Sequence, residues 1–304
     1  MSPSLSSFVE AYREAGRIAA EVRERAKRLV RANKRLIEIC DRVEGWIMEL
    51  GGAPAFPCNL SINEVAAHYT SPLGDRSVVP DRSIVKVDLG VHIDGYIADT
   101  AVTVCLNPEY EDLKRAAEEG LQAAIEVLRA GIRASEVGAV IERKIREWGF
   151  KPIRNLTGHR ISKYNLHAGE VIPNVHSRLC RQRLAVGDIY AVEPFTTLPT
   201  AAGEVVNGAW GHICLFQRKR PVKGRTAKEM LSFIRSSYKT LPFAERWVLR
   251  RFPSEVGKEA FQELLRSKCL HTYPILVERS RAPVAQAEHT VLIRENGCQV
   301  LTEL

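Results

Sequence analysis

Four carboxylates interrupt segments that are otherwise apolar. Asp88 and Asp99 lie in the runs SIVKVDLGV and YIADTAVTV, Glu193 directly precedes Pro194, and Glu288 lies in AQAEHTVLI. Asp is disfavoured inside strands, although any one of these residues alone is compatible with a solvated strand edge. Four in one chain favour a shared role, because carboxylates that meet in a folded protein repel each other unless a cation or a proton separates them.

The first two carboxylates are predicted to face each other. The Asp94-Gly95 turn signal between the two runs predicts a β-hairpin over residues 84–104. In such a hairpin, Asp88 and Asp99 are either directly opposite or one diagonal step apart, and both arrangements put their side chains on the same face. Two carboxylates at that range need a cation or a proton between them unless they are partly exposed, and a pair of divalent metal ions is the natural cation.

Oxygen ligands of this kind suit Mn, Fe, Co or Zn when an imidazole joins them. His159 and His167 lie in LTGHRISKYNLHAG, where Gly158 and Gly169 allow close backbone approach, and His68 lies in NLSINEVAAHY. A lone histidine is more often an ordinary surface or core residue. That ordinary role is expected for the remaining histidines: His92, His176, His212, His271 and His289.

The elements that must position these residues alternate between helical and strand character. Apolar periodicity predicts two helices within residues 5–50, the second capped by Asn33 and ended by Gly51-Gly52, and two more over residues 112–148. Strands and loops follow over 150–215, a helical block over 225–270, and short strands to the end. This order predicts an α+β fold. The sequence lacks the GxSxG, HExxH and Walker A motifs, which argues against those three enzyme classes.

Composition places few further limits on function. The chain has 304 residues, enough for one large domain, and is 45% hydrophobic and 26% charged, as is typical of globular proteins. It has no apolar run of the roughly 18 residues that a membrane span needs and no secretory signal pattern. Its seven cysteines include no CxxC pair, which favours reduced thiols. We therefore expect a cytoplasmic protein without membrane association.

The motifs, taken in order, resemble those of the methionine aminopeptidases. They are KVDLGVHIDGYIADTAVTV, Gly158-His159, LHAG at 166–169, Glu193-Pro194-Phe195 and Glu288-His289-Thr290. The segments CNLSINE at 58–64 and TLPFA at 240–244 are similar to the type II branch, which is archaeal and eukaryotic. The resemblance runs from about residue 5 to the C-terminus, and it is specific because all five ligand residues occur in the family's order and spacing.

This resemblance implies a fold and an activity. The fold is the pita-bread fold, with two pseudo-symmetric halves around a central site in a single catalytic domain, 1–304, and a type II helical insertion at about 222–271. The activity is removal of the initiator methionine from nascent proteins and peptides. Two divalent metal ions are implied, drawn from Co, Mn, Fe, Zn and Ni.

The resemblance also assigns a role to each metal ligand. Asp88 would chelate one metal ion through both carboxylate oxygens, while Asp99 and Glu288 would bridge the two ions. His159 and Glu193 would complete the second ion. A hydroxide that bridges the two ions would be the nucleophile.

Four further residues are implied to handle the substrate. His68 and His167 would contact the scissile amide and, with Glu193, help to move protons. Phe56 and Phe195 would line a pocket for the methionine side chain, with the two histidines at its rim.

The positive charge of the chain is concentrated in the predicted insertion. Residues 218–268 hold 14 Lys and Arg and 5 Asp and Glu, a net charge of +9, against +8 for the whole chain. One interpretation is a solvated face. The other is weak contact with ribosomal RNA near the peptide exit, which would suit an enzyme that acts on nascent N-termini. A monomer is expected.

Two alternatives share the fold. Prolidases and aminopeptidase P have similar ligands, but the type II insertion argues against them. A catalytically dead relative that binds protein or RNA is the other, although such relatives typically lose metal ligands, and here all five are present.

Three departures from the family pattern touch the pocket wall and a strand next to Glu288, where they affect side-chain preference more than chemistry. The stretch from Thr196 to Gly203 is about two residues longer than usual, and Ala287 stands where Phe is common. His212 is the only candidate for a pocket histidine that some type II members carry.

Overall fold

The computed structural model describes residues 5–304. Within that range the helices are α1 Leu5–Leu29, α2 Leu36–Glu49, α3 Glu111–Val127, α4 Ala134–Glu147, α5 Arg225–Ser237, α6 Glu245–Arg251 and α7 Glu255–Arg266, with a 3₁₀-helix at Pro108–Tyr110. The first eight strands are β1 Ala53–Ile62, β2 Val65–Ala67, β3 Ile84–Ile93, β4 Tyr96–Cys105, β5 Lys151–Pro152, β6 Thr157–Ile161, β7 Val171–Pro173 and β8 Ile189–Val192. The remaining strands are β9 Phe195–Thr197, β10 Val205–Phe216, β11 Phe243–Ala244, β12 Leu270–Glu278, β13 Val284–Gln286, β14 His289–Arg294 and β15 Gly297–Val300.

The strands form four sheets. Their orders are β1-β3-β4, β11-β10-β12-β2, β13-β9-β5 and β15-β14-β8-β6-β7. Every pairing between these strands is antiparallel, and the helices fall in separate blocks along the chain. The predicted α+β class is therefore confirmed. No helix within residues 5–304 is both long and apolar enough to cross a membrane.

Helices α1 and α2 pack on the first sheet. Apolar residues that recur at helical spacing, such as Ile18 and Val22 of α1 and Val43 of α2, share one buried core with β1, β3 and β4. The predicted cap at Asn33 is wrong, because α2 begins only at Leu36 and Asn33 sits in a left-handed turn with φ 66°. Asn tolerates that conformation better than most residues, so the turn itself explains its presence.

Helices α3 and α4 pack in a similar way on the sheet that contains β8 and β14; this sheet with its helices is the second half of the fold, and α1, α2 and the first sheet are the first half. Their core includes Leu113, Ile141 and Ile145 together with Tyr190 of β8 and Val291 of β14. The fold thus has two helix pairs, each on its own sheet region, and the inner faces of the sheets meet between them.

The two halves are joined by hydrogen bonds between β4 and the strand region around Glu288. The Asp99 amide donates to Thr290 Oγ1 at 2.7 Å, and the Thr290 hydroxyl donates to the Asp99 carbonyl at 2.8 Å. The Thr100 hydroxyl donates to the Glu288 carbonyl at 2.8 Å. These bonds hold a carboxylate of the first half beside one of the second.

Helices α5, α6 and α7 follow β10 and precede β12. Their apolar residues, such as Met230 of α5 and Phe261 of α7, form a separate hydrophobic core with Phe243 of β11. The α6 residue Arg246 is fully buried and pairs with Glu44 of α2, which also accepts hydrogen bonds from Trp247 Nε1 at 2.7 Å and the Cys58 amide at 3.0 Å. A buried ion pair therefore links these helices to the first half.

We predict that Arg246→Met lowers the free energy of unfolding by about 3–5 kcal/mol, because it leaves the Glu44 carboxylate buried without its cation. Urea denaturation followed by circular dichroism measures the change. Arg250→Met is the matched control, since Arg250 pairs with Asp41 at 2.6 Å but is 43% exposed. The control substitution should lower the free energy of unfolding by about 1 kcal/mol or less. Equal losses in the two variants would contradict a special role for the buried pair.

Candidate metal centre

A cavity of about 230 Å³ lies where the sheets meet. All nine residues singled out from the sequence line it: Phe56, His68, Asp88, Asp99, His159, His167, Glu193, Phe195 and Glu288. They come from β1, β3, β4, β6, β9 and the connecting segments, so distant parts of the chain converge on one space.

The hairpin β3–β4 positions the first two carboxylates. Asp88 pairs with Ala101 and Gly90 pairs with Asp99, so the two carboxylates are one diagonal step apart on the same face, the second of the two predicted arrangements. The turn residues Asp94 and Gly95 both have positive φ, 50° and 87°, as a two-residue type I′ turn requires. The turn therefore determines the register that brings the carboxylates together.

A glycine in the same hairpin makes room for one wall of the cavity. A Cβ on Gly90 would lie 2.2 Å from Cε1 of Phe56, far inside van der Waals contact. Because position 90 has no side chain, the Phe56 ring can lie against the strand and reach the cavity.

The second half contributes His159, Glu193 and Glu288. Ligand atoms of Asp99, His159 and Glu288 all lie within 4.8 Å of one another. His159 Nε2 is 3.6 Å from Asp99 Oδ2 and 3.6 Å from Glu193 Oε1. Gly158 allows this approach, because a Cβ there would lie 2.4 Å from the Ala191 carbonyl oxygen.

Burial raises the pKa of all four carboxyl groups in the cavity, and neighbouring carboxylates raise it further for three of them. Burial raises the pKa of Asp88 to about 7. Burial, followed by the charges of Asp88 and Glu193, raises the pKa of Asp99 well above its ordinary range, and burial and nearby carboxylates do the same for Glu193 and Glu288. No Lys or Arg within residues 5–304 forms an ion pair with any of the four. The negative charge of the four carboxylates must therefore be balanced by bound protons or by a bound cation.

The donor set fits a divalent cation. Asp88 Oδ1 and Asp99 Oδ1 are buried and have no hydrogen-bond partner among the residues described. Burial and the nearby His167 lower the pKa of His159 to about 3, so its imidazole is neutral at pH 7, the form that binds metal. Carboxylate oxygens and one neutral imidazole are ligands that Mn, Fe, Co and Zn accept.

The other two histidines border this cluster. His68 Nδ1 lies 3.3 Å from the Pro274 carbonyl oxygen, which can only accept, so Nδ1 carries the hydrogen and Nε2 is the acceptor. Burial lowers the pKa of His68 to about 4 and also lowers the pKa of His167. The ring of His167 is centred 4.3 Å from that of His159. Both imidazoles are thus available as neutral donors or acceptors.

Sequence reasoning missed two polar residues that organise the site. Gln286 Nε2 donates to Glu288 Oε2 at 3.2 Å and to Glu193 Oε2 at 3.5 Å. Asn59 Oδ1 accepts from the His68 amide at 2.8 Å and holds that residue at a φ of 66°. Gln286 lies two positions before Glu288, and the two-residue period of a strand was a usable signal. Asn59 had no such signal.

Two of the three departures from the family pattern lie away from the cavity wall. His212 does not line the cavity, and its Nδ1 pairs with Glu245 of α6. Ala287 is buried in the core beneath α3 and also does not line it. The match of His212 to the pocket histidine is therefore wrong, whereas Ala287 lies beside Glu288, between β13 and β14, and packs into the core.

We predict that the metal-free protein becomes less stable as pH rises from about 5 to 8. A carboxyl whose pKa is raised by folding binds more protons in the folded state, so its stabilising contribution is lost as pH rises from its ordinary 3.8 through about 7 for Asp88. Thermal melting with EDTA at pH 5.5, 6.5 and 7.5, conditions chosen around these values, measures the trend.

The Asp88→Asn variant isolates the effect, because it removes one of the titrating groups. Its melting temperature should fall less with pH than that of the wild type. With Mn²⁺ present, the wild-type trend should reverse, since metal binding requires deprotonated carboxylates. A metal-free wild type whose melting temperature does not fall with pH, or falls no more than that of the variant, would contradict the prediction.

Comparison with known proteins identifies the family. The profile of metallopeptidase family M24 matches residues 10–295. The methionine aminopeptidase of Methanocaldococcus jannaschii is 47% identical over 290 residues, which cover 95% of this chain and 97% of that protein. The identity extends over almost the whole of both chains.

Solved structures show the same fold. A thermophilic Arx1 matches with a TM-score of 0.80 at 18% identity, over 100% of this chain and 92% of that one. Methionine aminopeptidase from Thermotoga maritima matches with a TM-score of 0.70 at 23% identity, over 100% and 99%. These matches confirm the predicted pita-bread fold, and the sequence relatives confirm the predicted family. The chain belongs to metallopeptidase family M24 and, within it, to the methionine aminopeptidases.

Proposed function

We propose that this protein removes the N-terminal methionine from polypeptides with two divalent metal ions. The observation that carries the proposal is the enclosed cluster in which Asp99, His159 and Glu288 converge within 4.8 Å, with Glu193 3.6 Å from the imidazole. The relatives that match the chain over 95% of its length are methionine aminopeptidases. Family membership implies divalent metal, and the cluster supplies the ligands.

The five ligands divide between the two ions by position. Asp99 lies on β4, one diagonal step from Asp88 and 3.6 Å from His159 Nε2, so Asp99 and the nearby Glu288 would be shared by the two ions. His159 Nε2 lies 3.6 Å from Glu193 Oε1, so these two residues would complete one ion, and Asp88 would hold the other. When bound, the metal ions would polarise the scissile carbonyl and supply a hydroxide nucleophile at neutral pH. Which of Co, Mn, Fe, Zn and Ni bind stays a prediction.

The remaining polar residues would handle protons and the scissile amide. His68 offers its Nε2 as an acceptor because Nδ1 is engaged by the Pro274 carbonyl. His167 lies on the other side, with its ring against His159. Burial, followed by the charge of Asp88, raises the pKa of Glu193, which suits a group that accepts and returns a proton.

The cavity is small enough to select one end of a chain. Its volume of about 230 Å³ is below the roughly 300–1,000 Å³ of pockets for drug-sized ligands. Phe56 and Phe195, both nearly fully buried, provide apolar walls suited to an unbranched thioether side chain. This supports removal of a terminal residue rather than cleavage within a chain.

We predict that Asp88→Asn lowers kcat/KM for Met-Ala-Ser by about 10²–10³-fold or more, because removing one group that stabilises the transition state costs that much. The dialysed variant should also retain less metal per chain, measured by inductively coupled plasma spectrometry. Circular dichroism should stay that of the wild type. Turnover of Met-Ala-Ser at the wild-type rate would refute the assignment.

The matched control is Asp94→Asn in the turn of the same hairpin. Asp94 is exposed at a φ of 50°, which Asn also tolerates, so turnover and metal content should stay at wild-type values. Assaying an Ala-Pro peptide beside Met-Ala-Ser separates the rival activity. Preference of the wild type for the Ala-Pro peptide would indicate a prolidase or aminopeptidase P instead.

We further propose that the substrates are nascent N-termini and that the basic helices contact ribosomal RNA weakly. Twelve of the 14 Lys and Arg between residues 218 and 268 are exposed, whereas Arg246 is buried against Glu44. Of the exposed ones, Arg225, Arg250 and Lys258 pair with carboxylates. The others supply a cluster of positive charge of the kind that phosphate backbones attract. A cytoplasmic monomer is consistent with this role and is also a proposal.

Ribosome co-sedimentation tests the contact. The protein should pellet with ribosomes at about 50 mM salt and be released at about 200 mM, because each released counterion makes binding steeply salt-dependent. Changing Lys219 and Lys223 to Glu should reduce the pelleted fraction. Equal pelleting of this variant and the wild type, or no salt-sensitive pelleting, would contradict the proposal.

A further inference from the structure

Strand β10 carries an exposed aromatic residue on an uncharged stretch. Residues 206–210, VNGAW, are all exposed, and the Trp210 side chain is 69% exposed. Among residues 5–304, β11 pairs with β10 only at Ile213 and Cys214, so residues 206–210 of β10 pair with β12 alone and form a sheet edge. An uncovered tryptophan at a sheet edge is a feature of binding surfaces.

The rings of four residues connect this tryptophan to the cavity. The ring centroids of Trp210 and His271 are 6.4 Å apart, those of His271 and Tyr273 are 5.5 Å apart, and those of Tyr273 and His68 are 5.3 Å apart. All three pairs have edge-to-face geometry. We call these four residues the aromatic track. Tyr273 and His68 line the cavity, so the track is continuous with the candidate metal centre.

The backbone keeps the track in place. His271 and Tyr273 are two positions apart on β12, which puts both rings on one face of the sheet. A Cβ on Gly211 would lie 3.0 Å from the Tyr273 carbonyl oxygen and 3.1 Å from that of His68. The glycine after Trp210 thus lets β10 lie close against both cavity residues.

The track leads from the buried site to solvent. Asp99 and Glu288 are 3% and 2% exposed, His68 and Tyr273 are partly exposed, and Trp210 is mostly exposed. The three centroid distances allow a path of at most about 17 Å. An extended polypeptide rises about 3.3 Å per residue, so the path matches about five residues.

We propose that the aromatic track binds the part of the substrate polypeptide that follows the scissile bond. The inference rests on the proposed aminopeptidase function, because only a substrate whose end residue enters the cavity continues along the track. None of the four track residues is Asp, Glu, Lys or Arg, so the track favours apolar or aromatic side chains at about the fourth to sixth substrate positions.

The substrate polypeptide is the expected occupant of the aromatic track, because the track is continuous with the cavity. The residues after the scissile bond must leave through the cavity opening, and the track begins at His68 and Tyr273 in the cavity wall. A second copy of this chain is the other candidate occupant of an exposed tryptophan, and the test below separates the two.

The experiment compares two peptides with the wild type and three variants. The peptides are Met-Ala-Ser and Met-Ala-Ser-Phe-Leu-Phe, and the readout is the ratio of kcat/KM for the long peptide to that for the short one. The wild-type ratio should be about three to ten, since one aromatic contact contributes about 0.5–1.5 kcal/mol. Trp210→Ala should bring the ratio close to one, mainly through KM, and Trp210→Phe should restore most of it.

Leu179→Ala is the matched control, because Leu179 is a large apolar residue that is 93% exposed and lines neither the cavity nor the track. It should keep the wild-type ratio. A wild-type ratio of one, or the same ratio in Trp210→Ala, would overturn the proposal. A change in sedimentation coefficient on Trp210→Ala with no change in ratio would overturn it too, in favour of self-association. Failure to cleave Met-Ala-Ser at all would instead overturn the proposed function.

Discussion

Repulsion among four carboxylates in one enclosed space is the interaction on which the rest of this structure depends. Asp88, Asp99, Glu193 and Glu288 face one cavity, and no protein cation within residues 5–304 pairs with them. Their pKa values are raised by burial and by one another. A protein that keeps such a cluster must hold it rigidly and provide for a cation, because in a relaxed structure the carboxylates would separate into water.

The rigidity comes from backbone and side-chain hydrogen bonds between the two halves. The reciprocal bonds of Asp99 and Thr290 and the Thr100–Glu288 bond tie the hairpin to the other sheet. Gln286 adds an amide between two of the carboxylates. Because these carboxylates lie on strands or directly beside them, the fold holds them in place, which would lower the ordering cost of binding a metal ion.

The same arrangement leaves one side of the site open to a polypeptide. The helices after β10 are anchored by the buried Arg246–Glu44 pair, and the strands before and after them, β10 and β12, form a wall of the cavity. That wall supplies Tyr273 to the cavity and Trp210 to the surface. In the proposed function, binding of the terminal residue and of the chain behind it would thus depend on one pair of strands.

The sequence by itself determined the elements and the chemistry of the candidate site. Turn residues Asp94 and Gly95 specify the hairpin, and strand periodicity puts Asp88 and Asp99 on one face, because both are local properties of the backbone. Family motifs then pointed to His159, Glu193 and Glu288 across long sequence separations.

Only the tertiary structure decided what surrounds those residues. The contact of His212 with Glu245 and the line of rings from His68 to Trp210 join residues that are distant in sequence, and the His68 amide donates to Asn59 across a chain reversal. Such contacts depend on how the sheets pack and where bulges shift the register of β10 against β12, and no local pattern encodes that packing.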